Sequence, residues 1–329
     1  MLDVAKAAGV SAQTVSRVAN HSAEVRPDTR ERVERAMEQL GYRPNYAARA
    51  LKRGHFRNIG VALFDMTQYG NAHNLGAVAD AARARGYAVT ICGFDPAEPV
   101  TLQDIAARMK SLPVDGVIVG LERQVADLDT FVPTDELPMV LIAEGPAAHC
   151  PTVDADQYGC SVTLVDYLLD RGHRTVYHIA GPAHSLGAAS RVDGWRAALE
   201  ARGRRVPSLY FGDWSADSGY QAGLALAHED DCTAVYAAND QMAYGAILGL
   251  REAGKRVPED VSVVGVDDSL VGIVPRLELT TMRVRFDEIG STAVDMVLRS
   301  LEGESVPVGT KHVVSDELVE RGSVRALGD

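Results

Sequence analysis

The sequence predicts a small all-α head followed by a larger α/β core, in which parallel sheets carry helices on both faces. Three observations predict it. From Asp3 to Leu40 apolar residues recur at helical spacing. From Ile59 onward, short apolar strand-like runs alternate with helical patterns, the mark of βα units and parallel sheets. Charge divides at the same place: residues 1–57 hold 11 Lys and Arg against 6 Asp and Glu, leaving 22 against 39 in the remainder. A head of +5 thus precedes a body of −17, although the net charge of −12 taken whole argues against a nucleic-acid partner. A basic head on an acidic body suits a protein whose head meets phosphates while its body stays off them.

The head begins with two short helices broken by a turn. Val4, Ala5 and Ala8 form an inward stripe on the first, and Val15 and Val18 on the second. Gly9 accepts a positive φ at the turn, and Ser11 is a good N-cap for the helix that follows. This is the outline of a helix-turn-helix. The outer face of its second helix is left with Ala12, Gln13, Ser16 and Arg17, small and hydrogen-bonding groups suited to base edges in a major groove. An ordinary amphipathic hairpin is the bland reading, which the charge asymmetry and the segments that follow outweigh. Pro27 opens a third helix in which Val33, Ala36, Met37 and Leu40 point inward, and Gly41 stops it. A short helix capped by Asn45 and ended by Gly54 comes next. So short a helix is marginal alone in water, so its Leu51, flanked by basic residues, marks a segment that orders against a partner; a plain linker is the alternative.

The core reads as strand Ile59–Phe64, a helix near Asn71–Arg85, strand Ala88–Gly93, a helix near Thr101–Ser111, and strands Gly116–Val119 and Met139–Ala143. A second series runs through helix Gln157–Arg171, strand Thr175–Ala180, helices Ala188–Ala201 and Asp217–His228, strand Ala234–Ala237, helix Asp240–Ala253 and strand Val261–Asp267. Ligands of parallel sheets sit beyond the carboxyl ends of strands. Asp65, Glu144, Gly181, Asn239, Asp240, Asp267 and Asp268 gather at those ends, a pocket signature, although Asp and Asn also serve turns and caps.

Composition excludes several classes. No apolar run approaches membrane-spanning length, and no secretory h-region precedes the helical hairpin, so a cytoplasmic chain without a membrane partner is expected. Cys92, Cys150, Cys160 and Cys232 lack metal or redox spacing and are expected to be buried, reduced thiols. No metal site, no cofactor and no catalytic residue is expected; a Walker loop, a GxSxG elbow and zinc-ligand spacing are all missing from the sequence.

The head string DVAKAAGVSAQTVSRVAN, the hinge string RPNYAARAL and the body strings GDWSADSGY, AANDQMAYGA, DVSVVGVDD and LTTM resemble the lac repressor family of bacterial transcription regulators, in order and across essentially the whole chain. Within that family they are most similar to its namesake. The resemblance implies a helix-turn-helix head (1–44), a hinge helix and linker (45–57), and a two-lobed, periplasmic-binding-protein-like core for effector binding and dimerisation (58–329). The first lobe is expected at about 58–155 and 287–313, the second at about 156–286 and 314–325. The family's base-reading positions fall on Ala12, Gln13 and Arg17, with Gln13 suited to adenine and Arg17 to guanine. Ala12 replaces a larger aromatic residue of the namesake, so a different operator is expected. The family's hinge leucine, a minor-groove wedge, falls on Leu51. Effector contacts fall on Arg191, Trp214, Asn239, Asp267 and Phe286, and on Glu144, which stands where the namesake has aspartate. Val284 stands where it has glutamine, and the Asp65–Gly70 loop is unlike its apolar loop; Asp65 is taken as a further candidate. The chain ends soon after Glu320-Arg321-Gly322 without tetramerising heptads, so a homodimer is expected.

The expected function is sequence-specific repression of a palindromic operator, relieved by a sugar or glycoside, a galactoside among the plausible ones. A corepressor-dependent regulator with another ligand is the first alternative. A sugar-modifying enzyme using Glu144 and Asp267 is the second, and a transport receptor, which needs export, the third.

Overall fold

The head is built on a core of small residues: Val4, Ala5, Ala8, Val15, Val18, Val33 and Ala36 are all buried together. They lie on α1 (Leu2–Ala8), α2 (Ala12–Ala19) and α3 (Pro27–Gln39). Gly9 ends α1 at φ 63°, and the amide of Val10 returns to the Ala5 carbonyl at 3.0 Å, the αL exit that glycine permits. The Ser11 hydroxyl accepts the Thr14 amide at 3.1 Å, capping α2 as expected. Leu40 departs from the expected stripe: it is 49% exposed, because α3 has ended and the Gly41 turn at φ 58° brings Tyr42 onto the core instead.

This computed structural model describes residues 1–19, 22, 24–42, 54–95, 98–145, 147–304, 306–307 and 309–328. The expected hinge helix and its Leu51 lie outside the described residues. Two units emerge, Met1–Phe56 and Arg57–Asp329.

The second unit holds two six-stranded sheets. The first contains β1 (Asn58–Leu63), β2 (Ala88–Gly93), β3 (Gly116–Leu121), β4 (Met139–Ala143), β5 (Thr152–Asp154) and β11 (Lys311–Val313), in the order β11-β5-β4-β3-β1-β2 and parallel throughout. The second contains β6 (Tyr177–Ala180), β7 (Tyr210–Phe211), β8 (Ala234–Ala237), β9 (Ser262–Val266), β10 (Thr280–Arg283) and β12 (Glu317–Val319), in the order β12-β10-β9-β8-β6-β7. Its pairs are parallel except the edge strand β12, antiparallel to β10. Central strands such as β1, β3 and β4 are buried along their whole length, which explains their unbroken apolar sequence.

Helices link the strands: α4 (Tyr69–Ala84), α5 (Leu102–Lys110), α6 (Gln157–Leu169), α7 (Leu186–Ala201), α8 (Ala216–Leu226), α9 (Asp240–Glu252) and α10 (Phe286–Leu301). The chain passes from the first sheet to the second after β5, returns through Val284 and Arg285, and passes again after β11. In each sheet strand order reverses beside one strand, β1 in the first and β6 in the second, which opens a crevice at the carboxyl ends. Within the second lobe α8 and α9 touch backbone to backbone: a Cβ on Gly219 would lie 2.1 Å from the Met242 carbonyl oxygen, and one on Gly245 1.9 Å from that of Ala216. That contact fixes the start of α9 against α8. All four cysteines are buried and unpaired.

Candidate functional site

A cleft of about 160 Å³ opens at the carboxyl ends of both sheets, lined from the first lobe by residues after β1, β3 and β4 and from the second by residues after β8 and β9 and on α7. Six of the seven expected effector positions line it: Glu144, Arg191, Trp214, Asn239, Asp267 and Phe286. Val284 lines it too.

Arg191 organises the second-lobe side. It sits in the second turn of α7, whose N-cap Ser185 accepts the Ala188 amide at 3.3 Å. The residue is 6% exposed. Its Nε donates to Gln157 Oε1 at 2.6 Å, one terminal nitrogen donates to the Ala238 carbonyl, and the other lies 3.6 Å from an Asp267 carboxylate oxygen. Its guanidinium carbon stands 5.6 Å from the Trp214 ring centroid. A buried charge needs such partners, because an unpaired one is expensive to hold out of water. Asp267 adopts φ 102° at the end of β9, and its carboxyl is pushed up to about 6 by burial, against the opposing pull of Arg191 and His73.

The GDWS string takes its meaning from packing. Trp214 takes φ 74°, and its indole lies against Gly181, where a Cβ would come 2.2 Å from the ring. Its carbonyl accepts from Asn239 Nδ2 at 3.0 Å. Asn239 Oδ1 in turn accepts the Met242 amide at 2.9 Å, so Asn239 caps α9 and lines the cleft at once. Ser215 caps α8 by accepting the Ser218 amide at 3.1 Å.

The first-lobe side is aromatic and amide-rich. Phe286 meets Tyr69 edge-on at 5.9 Å, and both line the cleft, as Trp214 does. Glu144 has its carboxyl raised well above the usual range by burial, then by the charge of Asp154 and a hydrogen bond shared with it. Burial also pushes Asp154 upward, but Lys311 at 2.6 Å and the Gly145 amide at 3.0 Å overcome it and hold that carboxylate low.

Asp65 lies apart from this set. Its carboxylate accepts from the Thr67 amide at 2.8 Å, the Thr67 hydroxyl at 2.6 Å and Gln68 Nε2 at 3.1 Å, folding its own loop instead of lining the cleft. Neighbours take its place: Gln68, Tyr69, Asn71 and Asn74 face the cleft, with Glu122 and Gln157. Glu122 directly follows β3, so a strand end read two residues later than Val119 would have exposed it. Asn71 and Asn74, three apart on α4, carried the one-face signal of a helix start after a strand.

In the head, Gln13 and Arg17 are exposed one turn apart on α2, Arg17 3.9 Å from Glu24 and 51% exposed. Ala12 is half-buried and packs against the head core. Among the described residues no helix is long and apolar enough to cross a membrane, and no cluster of His, Cys, Asp and Glu is grouped to hold a metal ion.

A parallel-sheet clamshell with a polar, aromatic-walled cleft, in a chain that also carries a helix-turn-helix, defines a ligand-responsive DNA-binding regulator. The chain belongs to the lacI family of bacterial regulatory proteins, whose model matches residues 1–45, while a periplasmic binding protein-like domain matches residues 165–324. It is 31% identical over 331 residues to the HTH-type transcriptional repressor PurR of Haemophilus influenzae (strain PittEE), covering 99% of this chain and 98% of that one. To the lactose operon repressor of Escherichia coli (strain K12) it is 32% identical over 308 residues, 93% of this chain and 86% of the relative. The structure is similar to the lac repressor dimer bound to operator and the anti-inducer ONPF, with TM-score 0.84 and 30% identity over 98% of each chain. It also resembles the transcriptional regulator CelR in complex with cellobiose, with TM-score 0.69 and 29% identity over 98% of each chain.

Proposed function

We propose that this regulator is a homodimeric repressor that grips a two-fold operator through α2 and releases it when a sugar or glycoside enters the cleft. The observation that carries the reading is the convergence of Glu144, Arg191, Trp214, Asn239, Asp267 and Phe286 on one cleft. Carboxylates, amides and an arginine hold hydroxyls, while Trp214 and Phe286 offer faces for the C–H patch of a pyranose. On the DNA side, residues 1–44 form the reading head and 45–57 the joint, with Leu51 the minor-groove wedge; Gln13 and Arg17 read base edges, and Ala12 approaches them closely. Two-fold operators follow from dimer symmetry. Moving the repressor from mostly bound to mostly free requires roughly 5.5 kcal/mol of differential effector binding, within reach of several hydroxyl contacts in two symmetric sites. The same cleft does not turn over glycosides in this reading, and its relatives are transcriptional repressors.

The test is operator selection from random duplexes, followed by release with a saccharide panel. Arg17→Ala should weaken specific binding by about 1–3 kcal/mol and relax preference at one base position. An unaltered selected site would remove Arg17 from base reading. Operator binding tightened by saccharide would replace induction with corepression, and turnover of p-nitrophenyl glycosides by pure protein would replace repression with catalysis.

A further inference from the structure

On the first-lobe wall of the cleft, the amide donors of Asn71 and Gln68 are committed, while two acceptors, on Asn74 and Glu122, stay open. Asn71 Nδ2 donates both to the Asp65 carbonyl and to Glu122 Oε2, each at 2.7 Å. Gln68 Nε2 donates to Asp65 Oδ2 at 3.1 Å. Asn74 Oδ1, one helical turn from Asn71 on the cleft-lining face of α4, is buried and has no hydrogen-bond partner. Glu122 adds a carboxylate whose other oxygen lies 3.7 Å from Arg123, too far for a hydrogen bond. A buried acceptor without a donor is a group waiting for one.

Charge points the same way. Glu122, Glu144 and Asp267 line the cleft, and among the described lining residues Arg191 is the one cation. Its three nitrogens already face Gln157, the Ala238 carbonyl and Asp267. A phosphate or carboxylate group entering here would meet Asn74 Oδ1 and the Glu122 carboxylate, with no uncommitted cation among the described lining residues. An alkyl or aryl aglycone against the first-lobe wall would leave Asn74 and Glu122 facing carbon.

Resting on the sugar reading above, we infer that the effector is a neutral, unsubstituted saccharide whose hydroxyls donate to Asn74 and Glu122, and that this wall rejects phosphorylated sugars and apolar glycosides. Hydroxyl O–H groups satisfy both acceptors, and the rest of the ring lies between Tyr69 or Phe286 and Trp214. Discrimination therefore resides on the first lobe.

Isothermal titration of the full-length protein tests this with maltose, cellobiose and lactose, their 6-phosphates and their p-nitrophenyl glycosides. One neutral disaccharide should bind, with its phosphate about 100-fold weaker or worse, the scale of like-charge juxtaposition in a desolvated site. Asn74→Leu should weaken the free disaccharide by about 10-fold and bring the p-nitrophenyl glycoside level with it, because one buried acceptor is gone and carbon is welcome. Glu122→Gln should narrow the phosphate gap. Both variants are read as ratios between ligands, which general loosening of the fold does not reorder. A phosphate that binds as well as its parent sugar, or an Asn74→Leu ratio equal to wild type, overturns this inference and leaves the sugar reading standing. If none of the sugars binds in any form, both fall.

Discussion

The two lobes build opposite kinds of wall around one cleft. On the second lobe, polar side chains already answer one another: Arg191 to Gln157, Ala238 and Asp267, Asn239 to Trp214 and Met242. On the first, Asn74 is left open and Glu122 partly so. A satisfied network is rigid and holds its geometry before any ligand arrives, whereas an open one gains from the ligand it meets. The difference teaches that burial and function are divided along the cleft lining: its second-lobe side carries the buried charge that must be stabilised, and its first-lobe side carries the open acceptor of Asn74.

The sharpest way to break that comparison is to remove Arg191. Arg191→Ala leaves Asp267 buried without its ion-pair partner, so unfolding in urea should show a loss of about 3–5 kcal/mol, together with loss of effector response. Adding Asp267→Ala should recover part of that stability, since the orphaned charge is then gone. A double variant as unstable as the single would mean the two residues are not coupled. Gly245→Ala attacks the same lobe through packing. Its methyl would overlap the Ala216 carbonyl, two backbones with nowhere to go, and about 1–3 kcal/mol should be lost in the same assay.

A pH series sharpens the contrast further. Asp240, at the first position of α9, has its carboxyl raised to about 8, chiefly by burial and then by the charge of Asp267, while hydrogen bonds from Thr281 and the Ser269 amide oppose the rise. An acid whose folded pKa is raised binds its proton more tightly in the fold, so its stabilising share is full below the ordinary value of 3.8 and lost as pH climbs toward 8. His178, pushed down to about 3 by burial, acts in the other direction, its share being lost as pH falls from 6.5. Above pH 6.5, where the His178 share is already complete, the melting temperature should therefore decline toward pH 8; Asp316, also raised to about 8 by burial, adds to the slope, and Asp240→Asn should make it shallower. An equally steep slope in the variant would exonerate Asp240.

Legibility in the sequence followed the same division. The second-lobe wall was readable because its residues stand at strand ends or in strings with strong local logic: Asn239 before an acidic helix start, Asp267 after a β-branched run, Trp214 between Gly212-Asp213 and a capping serine. The first-lobe wall was not, since Asn71 and Asn74 are ordinary helix residues until a cleft opens beside them. Asp65 had the strand-end position but its carboxylate closes its own turn with Thr67 and Gln68. In the fold, the βα alternation through β9 was plain, whereas β5, β7, β11 and β12 are two or three residues long and leave no periodic trace. Helix α10 did leave one, in Ile289, Ala293, Val294 and Val297, and it packs so closely on α4 that a Cβ at Gly290 would lie 2.6 Å from Ala77. The three helices of the head are legible in local spacing, as small helical bundles are; Leu40 departs from the stripe because α3 ends at Gln39.

The smallest effect separates stability from selection most cleanly. Ser185 caps α7 from within the cleft lining, and Thr101 caps α5 away from it, its hydroxyl accepting the Asp104 amide at 3.1 Å. Ser185→Ala should lower stability by about 1 kcal/mol, an ordinary cap loss, and Thr101→Ala should do much the same. Their consequences for ligand should differ. The cap at Ser185 fixes the helix that presents Arg191, so its loss should weaken the best-bound saccharide measurably, whereas Thr101→Ala should leave that affinity where it was. Equal effects of the two on saccharide binding would mean that affinity follows global stability, and the rigid second-lobe wall would lose its claim to be the preorganised partner.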